Sequence, residues 1–311
     1  MMTRLGSLLL TLWLCVFALA YASAEPLVVV VSSERSPAYV EAAASLLGEL
    51  EHSGQSRYDM LQLTVQEWAA AGPLKPKIFV ALGTDAANAL AKADTRAPVL
   101  CTLLPRSSFE RALRTNGRKS SSQFSALYLD QPISRQLELI RLALPEARRI
   151  GVLWGAESQV YAPFLKAQIQ AHGLELSEMT VGSNELLFPA LKRVLEDADL
   201  LLAVADPQLF NSSSIQNILL TSFRARVPLV AFSPAYVRAG ALLALHVTPT
   251  QMGLQAAAMT RNVLQGKALP ATPVYSQDFS VTVNEHVARS LGLSLDAAAL
   301  RERLRSREGA L

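Results

Sequence analysis

Hydrophobic residues in this chain form short continuous runs, separated by segments in which apolar residues recur every three or four positions. In the first half the runs predict five strands, at Leu27–Val31, Met60–Val65, Ile78–Leu82, Val99–Leu103 and Ser125–Leu129. A helix is predicted from Thr84, because Ala86, Ala89, Leu90 and Ala93 follow the spacing of one helical face. Unbroken Val, Ile and Leu in the strands, without apolar and polar alternation, predict a parallel sheet covered on both faces.

The second half repeats this order of strands and helices. Its predicted strands are Ile150–Trp154, Leu176–Val181, Leu200–Val204, Leu229–Phe232, Ala241–Leu245 and Phe279–Val283. Two such halves predict an α/β protein of two Rossmann-like lobes with parallel sheets. Because the carboxyl ends of the strands would face each other, a ligand cleft is expected between the lobes.

Several local signals refine this pattern. Thr248, Pro249 and Gln251 predict a capped helix start, and Gly266 its end. The polar stretch 106–123 predicts a surface loop. The arginine-rich tail Arg301–Arg307 predicts a solvated helix face in preference to a binding surface.

Residues 1–24 carry the pattern of a removable secretory signal. Arg4 precedes the apolar stretch Leu8–Leu19, and Ala22-Ser23-Ala24 supplies the small side chains of a cleavage site. A membrane anchor is the alternative, but the apolar stretch is shorter than the roughly 20 residues that span a bilayer. Lipid attachment at Cys15 is not expected, because a bulky residue precedes it. The chain is therefore expected in the periplasm, not membrane-spanning after signal removal, with Cys101 unpaired.

Composition and motifs exclude several functions. The net charge of +3 comes with no concentrated basic face, so a nucleic-acid partner is not expected. No nucleophile elbow, phosphate-binding loop or dinucleotide fingerprint occurs, so no enzyme and no cofactor are predicted. His52, His172, His246 and His286 lack metal-ligand spacing; they are expected on the surface or in the core, with no metal site.

Several stretches resemble the uncharacterised ABC-transporter substrate-binding family, whose members have the type I periplasmic-binding fold. The matching stretches are Phe79–Ala87, Gln136–Ile140, Leu144–Ala147, Val227–Phe232, Val237–Ala241, Val283–Asn284 and Leu291–Leu293. The resemblance implies a lobe 1 of residues 25–128 and 249–278, and a lobe 2 of residues 129–248 and 279–311. It also implies capture of a small-molecule ligand, often an amino acid, for an inner-membrane ABC permease.

Two departures from the family pattern put the ligand in doubt. Relatives carry an Asp-Pro pair where this chain has Leu103-Leu104-Pro105-Arg106, and Asp206 is followed by proline where relatives place asparagine. An amino-acid ligand is therefore not assumed. The alternative function is that of a periplasmic accessory protein with a vestigial cleft, partnering an outer-membrane receptor or a cell-wall enzyme.

Candidate ligand contacts follow the carboxyl ends of five predicted strands, where the next helix presents free backbone N–H groups. They are Ser32, Ser33, Gly83, Thr84, Gly155, Ser158, Asp206, Gln208, Phe210, Ser233 and Tyr236. Gly83-Thr84 would seat a ligand carboxylate on a helix N-terminus, or simply cap that helix. Asp206 would pair with a ligand ammonium, or start a turn before Pro207. Phe210 and Tyr236 would stack on the solute, or pack in the core.

Overall fold

The structure, a computed structural model, describes residues 25–182 and 186–308, so the predicted signal at 1–24 lies outside the described residues. The first half contains β1 (Val28–Ser32), α1 (Pro37–His52), β2 (Met60–Thr64), α2 (Val65–Ala70), β3 (Ile78–Leu82), α3 (Thr84–Lys92), β4 (Val99–Thr102), α4 (Arg106–Thr115) and β5 (Phe124–Tyr128). The second half contains α5 (Ile133–Ala143), β6 (Arg149–Trp154), α6 (Ala162–Ala171), β7 (Glu175–Thr180), α7 (Leu187–Glu196), β8 (Leu200–Leu202), α8 (Ile215–Arg224), β9 (Leu229–Ala231), α9 (Pro234–Ala239) and β10 (Leu243–His246). The chain continues with α10 (Pro249–Leu264), β11 (Val274–Tyr275), β12 (Ser280–Val283), α11 (Glu285–Ser290) and α12 (Ala297–Glu308).

These strands form two separate six-stranded sheets. The first has the order β11-β5-β4-β3-β1-β2 and is parallel throughout. The second has the order β12-β10-β9-β8-β6-β7, with β12 alone antiparallel to its neighbour. The predicted architecture of two parallel-sheet α/β lobes is therefore confirmed. We call the lobe around the first sheet lobe 1 and the other lobe 2; residue boundaries at 128, 248 and 278 remain our proposal, supported by sheet membership.

Strand burial explains why each sheet has helices on both faces. Every residue of β1, β3 and β5 is buried, and alternate side chains enter two different apolar clusters. Helices α1 and α10 cover one face of the first sheet and approach each other closely at Gly253. A Cβ added there would lie 2.4 Å from the carbonyl oxygen of Ala42, so this crossing requires glycine.

The predicted start of α10 is confirmed in detail. Thr248 Oγ1 accepts a hydrogen bond from the Gln251 backbone N–H at 3.1 Å, and Gln251 Oε1 accepts one from the Thr248 N–H at 2.8 Å. Pro249 occupies the first turn, where its missing N–H costs nothing. Gly266 follows the last turn with a φ of 87°, the left-handed conformation expected at a helix end.

The prediction of a surface loop over 106–123 is wrong for its first half. Arg106–Thr115 forms α4, which buries Phe109 and Ala112 although most of its residues are polar. The ring of Phe109 stacks on Phe124 with centroids 5.8 Å apart and meets Tyr128 edge-on at 6.0 Å. The packing of Phe109 thus stabilises a helix whose apolar face is too short to be recognised in the sequence.

The arginine-rich tail is helical and mostly exposed, as predicted, but it also bonds to the rest of the chain. Leu300 and Leu304 of α12 are buried in the core of lobe 2. Arg301 and Arg305 pair with Asp278, which lies between the two sheets in the chain. Helix α12 therefore forms ion pairs with the segment between β11 and β12, which connects the lobes.

Candidate ligand-binding site between the lobes

A cavity of about 350 Å³ lies between the lobes at the carboxyl ends of their strands. Five aromatic side chains line it, from Trp154, Tyr161, Phe164, Phe232 and Tyr275. Aliphatic side chains from both lobes complete most of the remaining surface. A largely apolar cavity of this size with a few polar groups is typical of small-molecule sites.

The turn after β4 in lobe 1 and the connection that follows β5 together make a charged wall of the cavity. The Arg106 guanidinium bonds to Glu110 Oε1 at 2.7 Å and to the Tyr275 hydroxyl at 3.3 Å. Burial alone would lower the pKa of Arg106, but these two bonds outweigh it and raise the pKa. The Asp130 carboxylate accepts the Arg106 backbone N–H at 2.6 Å, yet burial raises its pKa. The wall therefore holds a cation that is already paired and a carboxyl that is poorly hydrated.

His246 is the polar group that strand β10 of lobe 2 presents to the cavity. It is buried, and its Nε2 lies 2.9 Å from Thr282 Oγ1. Burial lowers the pKa of the imidazole, so the neutral form is favoured. The sequence-based assignment of His246 to surface or core missed this position on the cavity wall.

Contacts between α4 and the segment 157–161 join the lobes next to the cavity. The Tyr161 hydroxyl donates to Glu110 Oε2 at 2.8 Å, and the Arg106 guanidinium lies 4.9 Å from the centre of the Tyr161 ring. Arg111 of lobe 1 forms an ion pair with Glu157 of lobe 2. The helix that sequence analysis missed therefore supplies the lobe 1 side of this interface.

The structure places the candidate residues of lobe 1 away from the cavity. The hydroxyl of Ser33 accepts the backbone N–H groups of Asp85 and Ala86, each at 3.1 Å, and so caps α3. A Cβ at Gly83 would lie 2.6 Å from that hydroxyl, so the glycine serves internal packing. Neither Thr84 nor the buried Ser32 lines the cavity. A ligand carboxylate at this helix N-terminus, as predicted for Gly83-Thr84, would compete with the Ser33 hydroxyl.

Four candidates of lobe 2 meet in one hydrogen-bond network, which also lies off the cavity wall. Asp206 Oδ2 accepts from the Ser158 N–H at 2.9 Å, the Ser158 hydroxyl at 2.8 Å and the Glu157 N–H at 3.2 Å. Its Oδ1 accepts from the Gln208 N–H at 2.9 Å. A Cβ at Gly155 would collide with this carboxylate. The predicted pairing of Asp206 with a ligand is therefore unsupported; its carboxylate holds the loop that carries Glu157.

The remaining candidates divide between core and cavity. Phe210 packs edge-on against Phe232 in the core of lobe 2, and the Tyr236 hydroxyl donates to the Phe210 carbonyl at 3.0 Å. Neither Phe210 nor Tyr236 lines the cavity. Ser233, which caps α9, does line it, next to Phe232.

Part of the cavity wall was missed because the strand-end rule was applied to only five strands. Arg106 follows β4, Asp130 and Gln131 follow β5, and Val247 follows β10. The same rule extended to those strands would have selected these positions. Tyr275 belongs to a two-residue strand whose sequence gives no signal of its own.

Within 25–182 and 186–308, no group of three or more His, Cys, Asp or Glu side chains could hold a metal ion. Over the same residues, no helix has both the length and the apolar character needed to cross a membrane.

The fold and the cavity define a two-lobed binding protein of the kind that encloses a solute between α/β domains. A family model described as ABC transporter substrate binding protein matches residues 62–304. The chain belongs to this family, and the resemblance noted in the sequence is confirmed.

Among curated proteins, a tyrosine-binding protein of Clostridioides difficile is 22% identical over 223 residues, which cover 70% of this chain. The match spans 64% of that relative's own length.

Solved structures of similar proteins confirm the type I periplasmic-binding fold. The ligand-free, open structure of a substrate binding protein with adhesive properties from Clostridium difficile has a TM-score of 0.69 and 19% identity, covering 87% of this chain and 96% of that one. A domain from Streptococcus pneumoniae in complex with L-Trp has a TM-score of 0.63 and 18% identity, covering 90% and 98% of the two chains. A conserved domain protein from Vibrio cholerae has a TM-score of 0.62 and 22% identity, covering 89% and 97%.

Proposed function

We propose that this protein captures one small solute with an aromatic or apolar body in the interlobe cavity and delivers it to an inner-membrane ABC permease. It would do so in the periplasm, after removal of the signal segment 1–24. The observation that carries the proposal is the cavity itself, because both lobes contribute aromatic and polar side chains to one concave space.

The lining indicates the kind of solute. The rings of Phe164 and Phe232 line the cavity and can pack against a flat apolar group. The names of two similar proteins, one tyrosine-binding and one in complex with L-Trp, agree with an aromatic body. An amino-acid polar end is not part of the proposal, because the Arg106 cation is already paired with Glu110.

The contacts between the lobes next to the cavity support capture by closure of the lobes. Tyr161 and Arg111 form bonds between the lobes that would break if the lobes separated. A ligand that contacts both lobes would add to these bonds and favour the closed form, which is how hinged binding proteins trap a solute.

The alternative, an accessory protein with a vestigial cleft, was favoured by Leu103 and Leu104, and the positions of these two residues do not support it. Leu103 and Leu104, which replace the family's Asp-Pro pair, are buried in the two apolar clusters of lobe 1. They do not fill the cleft, and neither lines the cavity.

The test is a thermal-shift and tryptophan-fluorescence screen with amino acids, nucleosides and small aromatic acids. A ligand present at 100 times its Kd should stabilise the protein by about 2.7 kcal/mol, and compounds with an aromatic body should dominate the positive results. Ala205→Phe, which places a ring in the cavity, should abolish the shifts, whereas Ala171→Phe at the exposed end of α6 should not. If no compound shifts the wild-type protein, the accessory function becomes the better account.

A further inference from the structure

The cavity wall carries one charged group that the protein itself does not compensate. Arg106 lines the cavity, but its guanidinium forms an ion pair with Glu110 at 2.7 Å. Asp130 also lines the cavity, and no side-chain nitrogen of a described Lys, Arg or His lies within 4.0 Å of its carboxylate oxygens. Burial favours the neutral form of His246. An ionised Asp130 therefore gives the cavity wall an excess of negative charge.

One oxygen of Asp130 remains available to a solute. The Oδ2 atom accepts the Arg106 backbone N–H at 2.6 Å. The Oδ1 atom accepts no hydrogen bond from any other described residue, yet it is not among the fully enclosed side-chain atoms that lack a partner. It therefore keeps accessible surface, in a partly exposed residue that lines the cavity. A polar group of a solute in the cavity can thus contact this carboxylate.

Capping of α4 does not account for the charge of Asp130. Its Oδ2 satisfies the first backbone N–H of that helix, a task that a neutral asparagine performs equally well. Burial raises the pKa of Asp130, because the charged carboxylate has lost water without gaining a cation. A positively charged group in the cavity would supply the missing partner through a charge-assisted hydrogen bond.

A solute carboxylate finds no comparable partner on this wall. The Arg106 guanidinium already donates to Glu110 and to the Tyr275 hydroxyl. His246 is favoured in its neutral form, so it supplies no positive charge. A second carboxylate in the cavity would place like charge beside Asp130, which disfavours the ionised form of both groups. The wall therefore discriminates against anions as well as in favour of cations.

We infer that the solute is an amine without a carboxylate, and that its ammonium group pairs with Asp130 Oδ1 while its aromatic or apolar body fills the cavity. This inference rests on the proposed function, since it assumes that the cavity takes a solute. Asp130 is then a specificity-determining residue. It excludes neutral solutes, which would leave its charge unpaired, and amino acids, which would bring a carboxylate that nothing compensates.

The test compares four probes that share a phenyl ring and a short carbon chain. Phenethylamine carries an ammonium group, hydrocinnamate a carboxylate, L-phenylalanine both groups and 2-phenylethanol neither. Dissociation constants are measured by isothermal titration calorimetry at neutral pH. Wild-type protein should bind phenethylamine at least tenfold more tightly than each of the other three probes, about 1.4 kcal/mol.

Asp130→Asn removes the charge but keeps the shape of the side chain and the cap of α4. It should weaken phenethylamine binding by about tenfold, to the level of 2-phenylethanol, whose own affinity should change by less than about twofold. A merely structural role of Asp130 would weaken both probes equally. Asp94→Asn, the same change at an exposed position of lobe 1, should leave the preference intact. The comparison of probes on wild-type protein needs no variant and decides alone if Asp130→Asn does not fold.

The outcomes separate this inference from the proposed function. If wild-type protein binds any of the other three probes as tightly as phenethylamine, or if Asp130→Asn keeps the preference, the inference is overturned and capture of an aromatic or apolar solute stands. If wild-type protein binds none of the four probes at millimolar concentration, the proposal of an aromatic or apolar solute fails, and the role of Asp130 fails with it.

Discussion

Replacement of Asp206 by alanine separates a structural role from a ligand-binding role for this residue. Only 2% of Asp206 is exposed, and its carboxylate accepts three backbone N–H groups and one hydroxyl, all from lobe 2. Removal of the carboxylate would leave those donors without an acceptor. Hydrogen bonds to charged groups contribute roughly 1.5–3 kcal/mol each, but they are not additive and water would replace some of them. We therefore expect Asp206→Ala to lower the free energy of unfolding by about 3 kcal/mol.

The measurement is urea unfolding followed by circular dichroism, together with the melting temperature. A loss of about 3 kcal/mol should lower Tm by roughly 6–10 °C for a protein of this size. Asp197→Ala is a matched control, because that aspartate belongs to the same lobe but its side chain is 71% exposed, and it should change stability by less than about 0.5 kcal/mol. The reasoning is refuted if Asp206→Ala unfolds like wild type but no longer binds a compound from the ligand screen.

Three further changes test the packing, the titration and the lobe interface. Gly253→Ala should destabilise the protein by about 1–3 kcal/mol in urea unfolding, because its Cβ would collide with the carbonyl oxygen of α1, whereas Gly48→Ala, with open space around it, should not destabilise. Burial lowers the pKa of His246, so this histidine takes up a proton more readily in the unfolded chain than in the folded protein. The free energy of unfolding of the wild-type protein should therefore fall as the pH drops below 6.5. In His246→Gln, the urea midpoint should fall less between about pH 8 and about pH 5. Tyr161→Phe should weaken binding of a screened ligand by roughly fivefold, about 1 kcal/mol, since it keeps the ring but loses the bond to Glu110; an unchanged Kd in calorimetry would exclude a role of this bond in closure.

The sequence was sufficient for the fold because each lobe repeats one strong pattern. Five-residue runs such as Val28–Ser32 and Ile78–Leu82 are buried throughout, so their composition reports a parallel sheet without help from the rest of the chain. The capped start of α10 was equally local, since both partners of its capping box lie within four residues. Helix α4 was missed because its stability depends on rings that are distant in sequence.

The site could be predicted only in its general location. The cavity lies at strand ends, the region in which the sequence predicts a site. Ser33 and Asp206 are predicted ligand contacts, but their polar atoms bond to the protein itself. Nothing in a sequence shows whether a serine hydroxyl or a carboxylate finds its partner inside the chain.

Two neighbouring residues in the first connection are bonded to opposite lobes. Asp130 accepts from the Arg106 backbone in lobe 1, and Gln131 accepts from Arg135 in helix α5, which packs in the core of lobe 2. If the lobes rotate as rigid bodies, the backbone of this connection must change its torsion angles on either side of the peptide unit that joins Asp130 and Gln131. Such a pivot would re-orient the side chains of Asp130 and Gln131, which both line the cavity, whenever the lobes turn, so that the shape of the cavity wall would depend on the angle between the lobes.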